Sequence, residues 1–457
     1  MAVTAAARVF RASQLPAQPG VCGWAALLPP RSVTPALTGA ITADVTIIGA
    51  GFAGLSAARE LQRRDPTLRI AVLEAGTVGE GPAGRNSGFI IDLPHEVSAE
   101  DYGSDRGSGH GGDPLQRSRD RVLVQRRAVS FAKELAAEQG WGRETLDARG
   151  RHHLAMTAEG DRHIADYAAH LVRLGEPHDL LGAAAAAEIT GSRVFTSGLY
   201  LPGAVIVQPA AYIRGLADSL APPARLFERT PALSFERRGG GWLVRAPDGS
   251  VETPQVILAN NGYAERFGFF RGRLLHVFTY ASMTEEFDPA RLGGWRSWAA
   301  TPSSPMGTTL RRIEGARGDR LLVRSRYTFN PSLDVGPGTL RRAGALHDGK
   351  LAHRFPALAG IGMAYRWGGA MALTWNVVPA FGEVETGVLA ACGCNGLGAS
   401  NATASGIAAA ETLLGAETDL TRVYRSFAAP RALPARPLTL IGARATLALR
   451  EWKAGME

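Results

Sequence analysis

Residues 45–74 constrain the fold more than any other stretch of the chain. "ADVTIIGAG" reads as a short apolar strand that runs into glycines. "FAGLSAARELQRRD" sets Leu55, Ala58 and Leu61 at helical spacing. "RIAVLEAG" is a second buried strand, and it ends at Glu74. Strand, glycine turn, helix and strand in this order make a β-α-β unit, which is right-handed almost without exception. A parallel sheet covered by helices is therefore expected at the core.

The turn spells G-x-G-x-x-G at Gly49, Gly51 and Gly54. Gly49 permits the tight turn, Gly51 lets the backbone approach a pyrophosphate, and Gly54 lets helix and strand pack closely. Phe52 and Ala53 open the helix, whose free N–H groups and partial positive charge suit an anion. Glu74, at the end of the second strand, can accept hydrogen bonds from an adenosine ribose, and Ala75 follows it at the strand's exit. The negative charge of Glu74 would repel a 2′-phosphate, so FAD or NAD is expected rather than NADP. Two further stretches favour FAD. "GRNSGF" supplies small residues at Gly84, Ser87 and Gly88, beside Arg85 and Asn86, where a ribityl chain and flavin ring would lie. "CGCNGLG" carries Asn395, Gly396, Leu397 and Gly398 into a late helix, whose N-terminus can face the flavin edge that becomes negative on reduction.

At 457 residues the chain exceeds one simple core. The element order predicts a mixed α/β fold: a Rossmann-like FAD-binding domain interleaved with a substrate domain on a mostly antiparallel sheet. The expected FAD-binding pieces are 41–99, 199–262 and 377–430; the substrate pieces are 100–198 and 263–376; tails occupy 1–40 and 431–457. The glycine-rich loop around His110 reads as a solvated turn region.

The formal charge of +8 is carried by scattered arginines, without a nucleic-acid motif, so no nucleic-acid partner is expected. No run of apolar residues is long enough for a membrane span. Cys22, Cys392 and Cys394 form neither a disulfide framework nor a C-x-x-C metal motif. These features predict a cytoplasmic protein with no metal site. The acid-free stretch before Asp44 weakly resembles a transit peptide, while Trp24, Leu27 and Leu28 suggest that part of it docks on the body.

With these motifs the chain resembles the D-amino acid oxidase (DAO) superfamily, and within it the γ-glutamylputrescine oxidase group. The resemblance is carried by "VGEGPAGRNSGF", "VILANNGY", "YRWGGAMALTWNVVPAFG", "GCNGLG" and the "SFAAPRALPARPLTLIGARATLALREW" segment. It implies non-covalent FAD, oxidation of a C–N bond to an imine by hydride transfer to flavin N5, hydrolysis of the imine, and oxygen as acceptor with hydrogen peroxide formed. Amino acid oxidases of this superfamily often carry an arginine after the W-x-G segment to clamp the substrate carboxylate. Here Gly369, Ala370, Met371 and Ala372 stand there, which points to an amine without an α-carboxylate. Arg366 would point the opposite way from its neighbours. The group's histidine in the last glycine loop is replaced by Leu397.

Trp367, Met371 and Trp375 are the candidate substrate residues, with Trp367 also a candidate catalytic wall for the amine or else ordinary core. Arg312 matches an arginine of the group and is the candidate positive charge for oxygen activation, or else an exposed strand arginine. Asn376 reads as a polar contact or a turn residue, His276 as a sheet histidine, and the late cysteines as small packing residues. The rival readings are a dehydrogenase that passes electrons to a quinone or protein, and a flavin-binding protein without oxidase turnover.

Overall fold

The computed structural model describes residues 8–94 and 113–457; the loop around His110 lies outside the described residues. The nucleotide sheet has six strands in the spatial order Arg225–Phe227, Ile70–Leu73, Val45–Ile48, Gln255–Leu258, Val388–Cys392 and Ala380–Glu385. All neighbours are parallel except the last pair, which is a hairpin. These strands read as continuous apolar runs because both faces are covered. Alternate residues divide between the two faces. Val45, Ile47, Ile70 and Val72 pack under helices Phe52–Arg64 and Gly398–Leu413. Ile48, Ala71, Leu73 and Val256 pack under a five-stranded sheet through Phe235, Trp242 and Val244.

The second large sheet has eight strands in the order Met363–Thr374, Leu274–Thr284, Arg320–Phe329, Thr309–Ile313, Trp298–Pro302, Arg151–Ala155, Ser197–Leu201 and Asp179–Gly182. Its pairs are antiparallel except Trp298–Pro302 with Arg151–Ala155. The fold is thus a mixed α/β architecture in which the chain passes repeatedly between the two sheets.

Several boundaries differ from the sequence expectation. The stretch from residue 8 to 42 is not a tail. Val9–Arg11 pairs with Ser234–Arg238, and Gly39–Thr42 runs parallel to Gly249–Thr253, so this stretch supplies both edges of the five-stranded sheet. Between them Trp24 is fully buried and donates through Nε1 to the Asn86 carbonyl at 2.8 Å. Helix Pro114–Gln139 was expected with the substrate domain, but Val124, Ala128, Phe131 and Leu135 join the core beneath the nucleotide sheet. Strand Ser197–Leu201 crosses the expected 198/199 boundary and belongs to the eight-stranded sheet. The expected 431–457 tail contains helix Arg436–Ala454, which bridges to strand Arg320–Phe329 through Glu451 and Arg326 at 2.9 Å. The amino-terminal strands and helix Pro114–Gln139 have partners far away in the sequence, so local periodicity does not mark where they belong.

Among the described residues, no helix is long and apolar enough to cross a membrane.

Candidate functional site

A deep cavity lies between the carboxyl ends of the nucleotide strands and one face of the eight-stranded sheet. This is where open α/β sheets bind ligands. Gly49, Gly51, Phe52 and Ala53 line it. Gly49 sits at φ +108°, and a Cβ there would stand 2.9 Å from the Ala259 carbonyl oxygen, so glycine is required for the turn. Gly54 lies beneath the turn. A Cβ on it would fall inside the van der Waals radius of the Gly49 carbonyl oxygen. Gly51 differs, because a Cβ there would meet only the Ala83 Cβ, at 3.4 Å. The protein itself leaves that space open toward the cavity.

Helices Phe52–Arg64 and Gly398–Leu413 both begin at the cavity. Their N-cap residues, Gly51 and Leu397, provide no side-chain hydrogen bond, and neither first turn holds an acid. Their leading N–H groups and partial positive charges are thus available to a ligand. Glu74 accepts from the backbone N–H groups of Ala50 and Gly76, each at 2.9 Å. Burial raises its carboxyl pKa above the ordinary value, so hydroxyl donors from a bound ribose would favour its charged form. Ala75 lines the wall beside it. A carbonyl-free gap at Gly51, two uncapped helix starts and one ribose-competent carboxylate fit FAD.

Arg85, Asn86 and Ser87 line the next part of the cavity. Arg85 donates to the carbonyls of Glu80 at 2.7 Å, Pro19 and Gly20 at 3.1 Å, and Gly368 at 3.3 Å. It ties the glycine loop to the amino-terminal stretch and to strand Met363–Thr374. Asn86 braces the loop, donating to the Ala83 carbonyl at 2.6 Å and accepting from the Gly88 N–H at 2.7 Å. Gly84 and Gly88 stand behind the lining, where a Cβ would strike the Gly79 carbonyl and the Arg311 guanidinium respectively.

Gly396, Leu397 and Gly398 line the cavity, whereas Asn395 serves as a brace. Its Oδ1 accepts from the Thr374 N–H at 2.8 Å, and its Nδ2 donates to the carbonyls of Val378 at 2.8 Å and Gly393 at 3.0 Å. Cys392 and Cys394 are buried at this wall. Burial pushes the Cys392 thiol up to about 12, and a protonated thiol is a poor nucleophile.

Three expected site residues are placed elsewhere. Arg312 is neither exposed nor at the cavity. Its side chain and that of Asp319 are both 0% exposed and pair at 2.7 Å, with the Pro289 and Gly293 carbonyls also accepting. Strand alternation turns Arg312 away and Arg311 inward. Arg311 donates to the carbonyls of Ser87 at 3.0 Å and Val207 at 2.7 Å, with its guanidinium 4.7 Å over the Trp24 ring. Trp367 is 0% exposed and packs with Trp24, Ala281, Met283 and Leu322 beneath the cavity wall. Its Nε1 donates to the Arg85 carbonyl at 2.8 Å, so it supports the loop and does not face a substrate. Trp375 is 56% exposed and outside the cavity. Met371 does line the cavity, beside Gly369 and Ala370.

The remaining candidates are structural. His276 is buried and bonded to Glu265. Arg366 pairs with Asp348 at 2.8 Å on the opposite side of its strand. Asn376 holds the carbonyl of Ala429 at 3.1 Å and the N–H of Arg431 at 3.0 Å.

The sequence reading missed Arg324, Tyr263 and Thr279 in the cavity lining, together with Gln14, Leu15, Pro16 and Gln18 of the amino-terminal stretch. The last four cover the cavity where that stretch crosses from one sheet edge toward Trp24. Among the described residues, no cluster of His, Cys, Asp and Glu could hold a metal ion.

Known proteins agree with this geometry. The chain is 27% identical over 422 residues to a probable oxidoreductase OrdL of Rhizobium meliloti, covering 89% of this chain and 91% of the relative. It is 24% identical over 408 residues to a gamma-glutamylputrescine oxidoreductase of Escherichia coli, covering 83% and 85%. The fold matches glycine oxidase from Geobacillus kaustophilus with a TM-score of 0.65 and 22% identity, covering 82% of this chain and 96% of that one. Residues 44–412 match the DAO family, described as FAD dependent oxidoreductase. The match takes in both sheets and the whole dinucleotide cradle. This chain therefore belongs to the DAO family of FAD-dependent oxidoreductases.

Proposed function

We propose that the enzyme oxidises an amine of the γ-glutamylputrescine type, in the cytoplasm, with oxygen as the acceptor. The carrying observation is the wall of strand Met363–Thr374. Gly369, Ala370 and Met371 present no charge to the cavity there, so an α-carboxylate beside the reacting carbon would have no guanidinium partner on this strand. The Escherichia coli relative, by its name, acts on gamma-glutamylputrescine, which supports an extended amine. The three cysteines are free and buried, consistent with a reducing compartment.

Bound FAD supplies the two-electron acceptor for the C–N bond. The chain's own groups position both partners. The N-termini at Phe52 and Gly398 and the carboxylate of Glu74 would hold the cofactor, and Met371, Tyr263 and Thr279 line the same cavity. The substrate must arrive as the free amine, because an ammonium has no lone pair to drive loss of hydride.

Anaerobic mixing of the yellow enzyme with single amines tests the reading. γ-Glutamylputrescine and related polyamine derivatives are expected to bleach the flavin faster than glycine or D-alanine. The bleaching rate is expected to rise with pH until the substrate amine is deprotonated, and air is expected to yield hydrogen peroxide. Preference for D-alanine would overturn the substrate assignment, and a flat pH profile the deprotonation step. Bleaching without peroxide under air would move the acceptor to a quinone or protein. Acid precipitation is expected to release all the flavin into the supernatant, as non-covalent binding requires; a yellow pellet would show a covalent link.

A further inference from the structure

Two cationic side chains line the cavity among the described residues, Arg85 and Arg324. Arg85 is committed to four backbone carbonyls. Arg324 is not. It is half-buried on strand Arg320–Phe329, donates through Nη1 to the Tyr327 hydroxyl, and lies with its guanidinium carbon 4.6 Å over the Tyr327 ring. Among the described residues no carboxylate pairs with it.

Residues 324 and 327 should face opposite sides of a regular strand, since the side-chain period is two. Here they share a face. Ala281 pairs with Arg324, Tyr280 with Ser325 and Thr279 with Tyr327, which leaves Arg326 as the extra residue of a β-bulge. Arg326 takes φ +62°, an uncommon value for a long side chain. The bulge resets the alternation, so Tyr327 comes onto the face of Arg324, opposite Thr279 and Ala281 of the cavity lining, while Tyr327 itself borders a neighbouring pocket with Arg326 and Glu451. Strain of this kind persists where surrounding structure enforces it, and it concentrates at working sites. Arg326 itself is held by Glu451 of helix Arg436–Ala454, at 2.9 and 3.0 Å.

Position fixes what Arg324 can bind. Strand Leu274–Thr284 separates it from strand Met363–Thr374, on which Trp367 stands in register with it, so its backbone lies about 10 Å, or two strand spacings, from Trp367 and farther still from Gly369 and Met371, which follow along that strand. That is too far for the carboxylate of an α-amino acid reacting beside Met371, and suits a carboxylate several bonds away.

We propose that Arg324, oriented by Tyr327, is the anion subsite of the substrate cavity and binds a carboxylate at the end of the substrate remote from its amine. This rests on the amine-oxidation reading and names the substrate class within it. A planar guanidinium meets a carboxylate with two parallel hydrogen bonds, which an amide cannot reproduce and a lysine reproduces only in part.

The test uses the flavin-loaded full chain, with perturbation of the flavin absorption as a binding signal. Pentanoate is expected to bind at least tenfold more tightly than pentanamide. Arg324→Met is expected to remove that difference, and Arg324→Lys to restore part of it. In turnover, 5-aminopentanoate is expected to show a lower KM than 5-aminopentanamide at similar kcat, with the KM advantage lost in Arg324→Met. Equal binding of pentanoate and pentanamide, or unchanged discrimination in Arg324→Met, would overturn the proposal. Selective, Arg324-dependent binding of pentanoate without bleaching by either amine would leave the subsite standing and sink the amine reading instead.

Discussion

Purified Gly51→Ala protein is expected to be folded and nearly colourless, whereas Gly54→Ala is expected to yield little folded protein. The two glycines are three residues apart in one motif, yet their surroundings differ. A methyl group on Gly51 meets only the Ala83 Cβ, at 3.4 Å, an ordinary contact. It projects into the cavity, where the glycine fingerprint would seat a pyrophosphate, so its cost is expected to fall on cofactor binding. A tenfold or greater loss of FAD affinity, about 1.4 kcal/mol or more, is expected with little change in apoprotein melting. The same methyl group on Gly54 collides with the Gly49 carbonyl and stands 3.2 Å from the Ile47 side chain. Both groups belong to the core and cannot swing aside, so a destabilisation of about 3 kcal/mol or more is expected. FAD titration by fluorescence quenching and thermal melting of the apoprotein separate the two effects. Equal loss of folding in both variants would refute the distinction.

The second large effect is expected at Arg312 and Asp319. Asp319→Ala leaves a buried guanidinium without its carboxylate, and loss of about 3–5 kcal/mol is expected for breaking such a pair from one side. Arg296 also contacts Asp319, at 2.7 Å, so the carboxylate joins two guanidinium groups. The protein that does fold should nevertheless reoxidise its flavin at the normal rate, because the pair lies away from the cavity. Stopped-flow reoxidation with oxygen, normalised to bound flavin, checks this. Slowed reoxidation in folded Arg312→Met would return Arg312 to an electrostatic role in the oxygen step.

The contrast between these two predictions marks what the sequence could convey. The dinucleotide unit was legible because each requirement lies within one local stretch: apolar strand, glycine turn, helix, acid at the next strand end. The late glycine loop was legible for the same reason. Arg312 was misplaced because a two-residue period gives Arg311 and Arg312 opposite faces without saying which faces inward. Trp367 was left between a binding wall and ordinary core because both have the same local pattern; its complete burial and the Nε1 bond to the Arg85 carbonyl decide for the core. Arg324 and Tyr327 were hidden by the bulge, since their odd spacing argues against a shared face. The amino-terminal strand at Val9–Arg11 was hidden by distance, its partner standing at Ser234–Arg238.

That distance has a consequence for how the enzyme matures. The glycine turn is made by residues 49–54, but the helix packed against it, with Gly406 set so close that a Cβ would strike the Ala53 carbonyl, begins only at Gly398. Strand Val388–Cys392, which carries the chain into that helix, is also needed to complete the sheet. On the ribosome, the turn therefore emerges long before the helix that packs against it. A product that stops before Gly398 is expected to lack the second wall of the cavity and to retain FAD poorly.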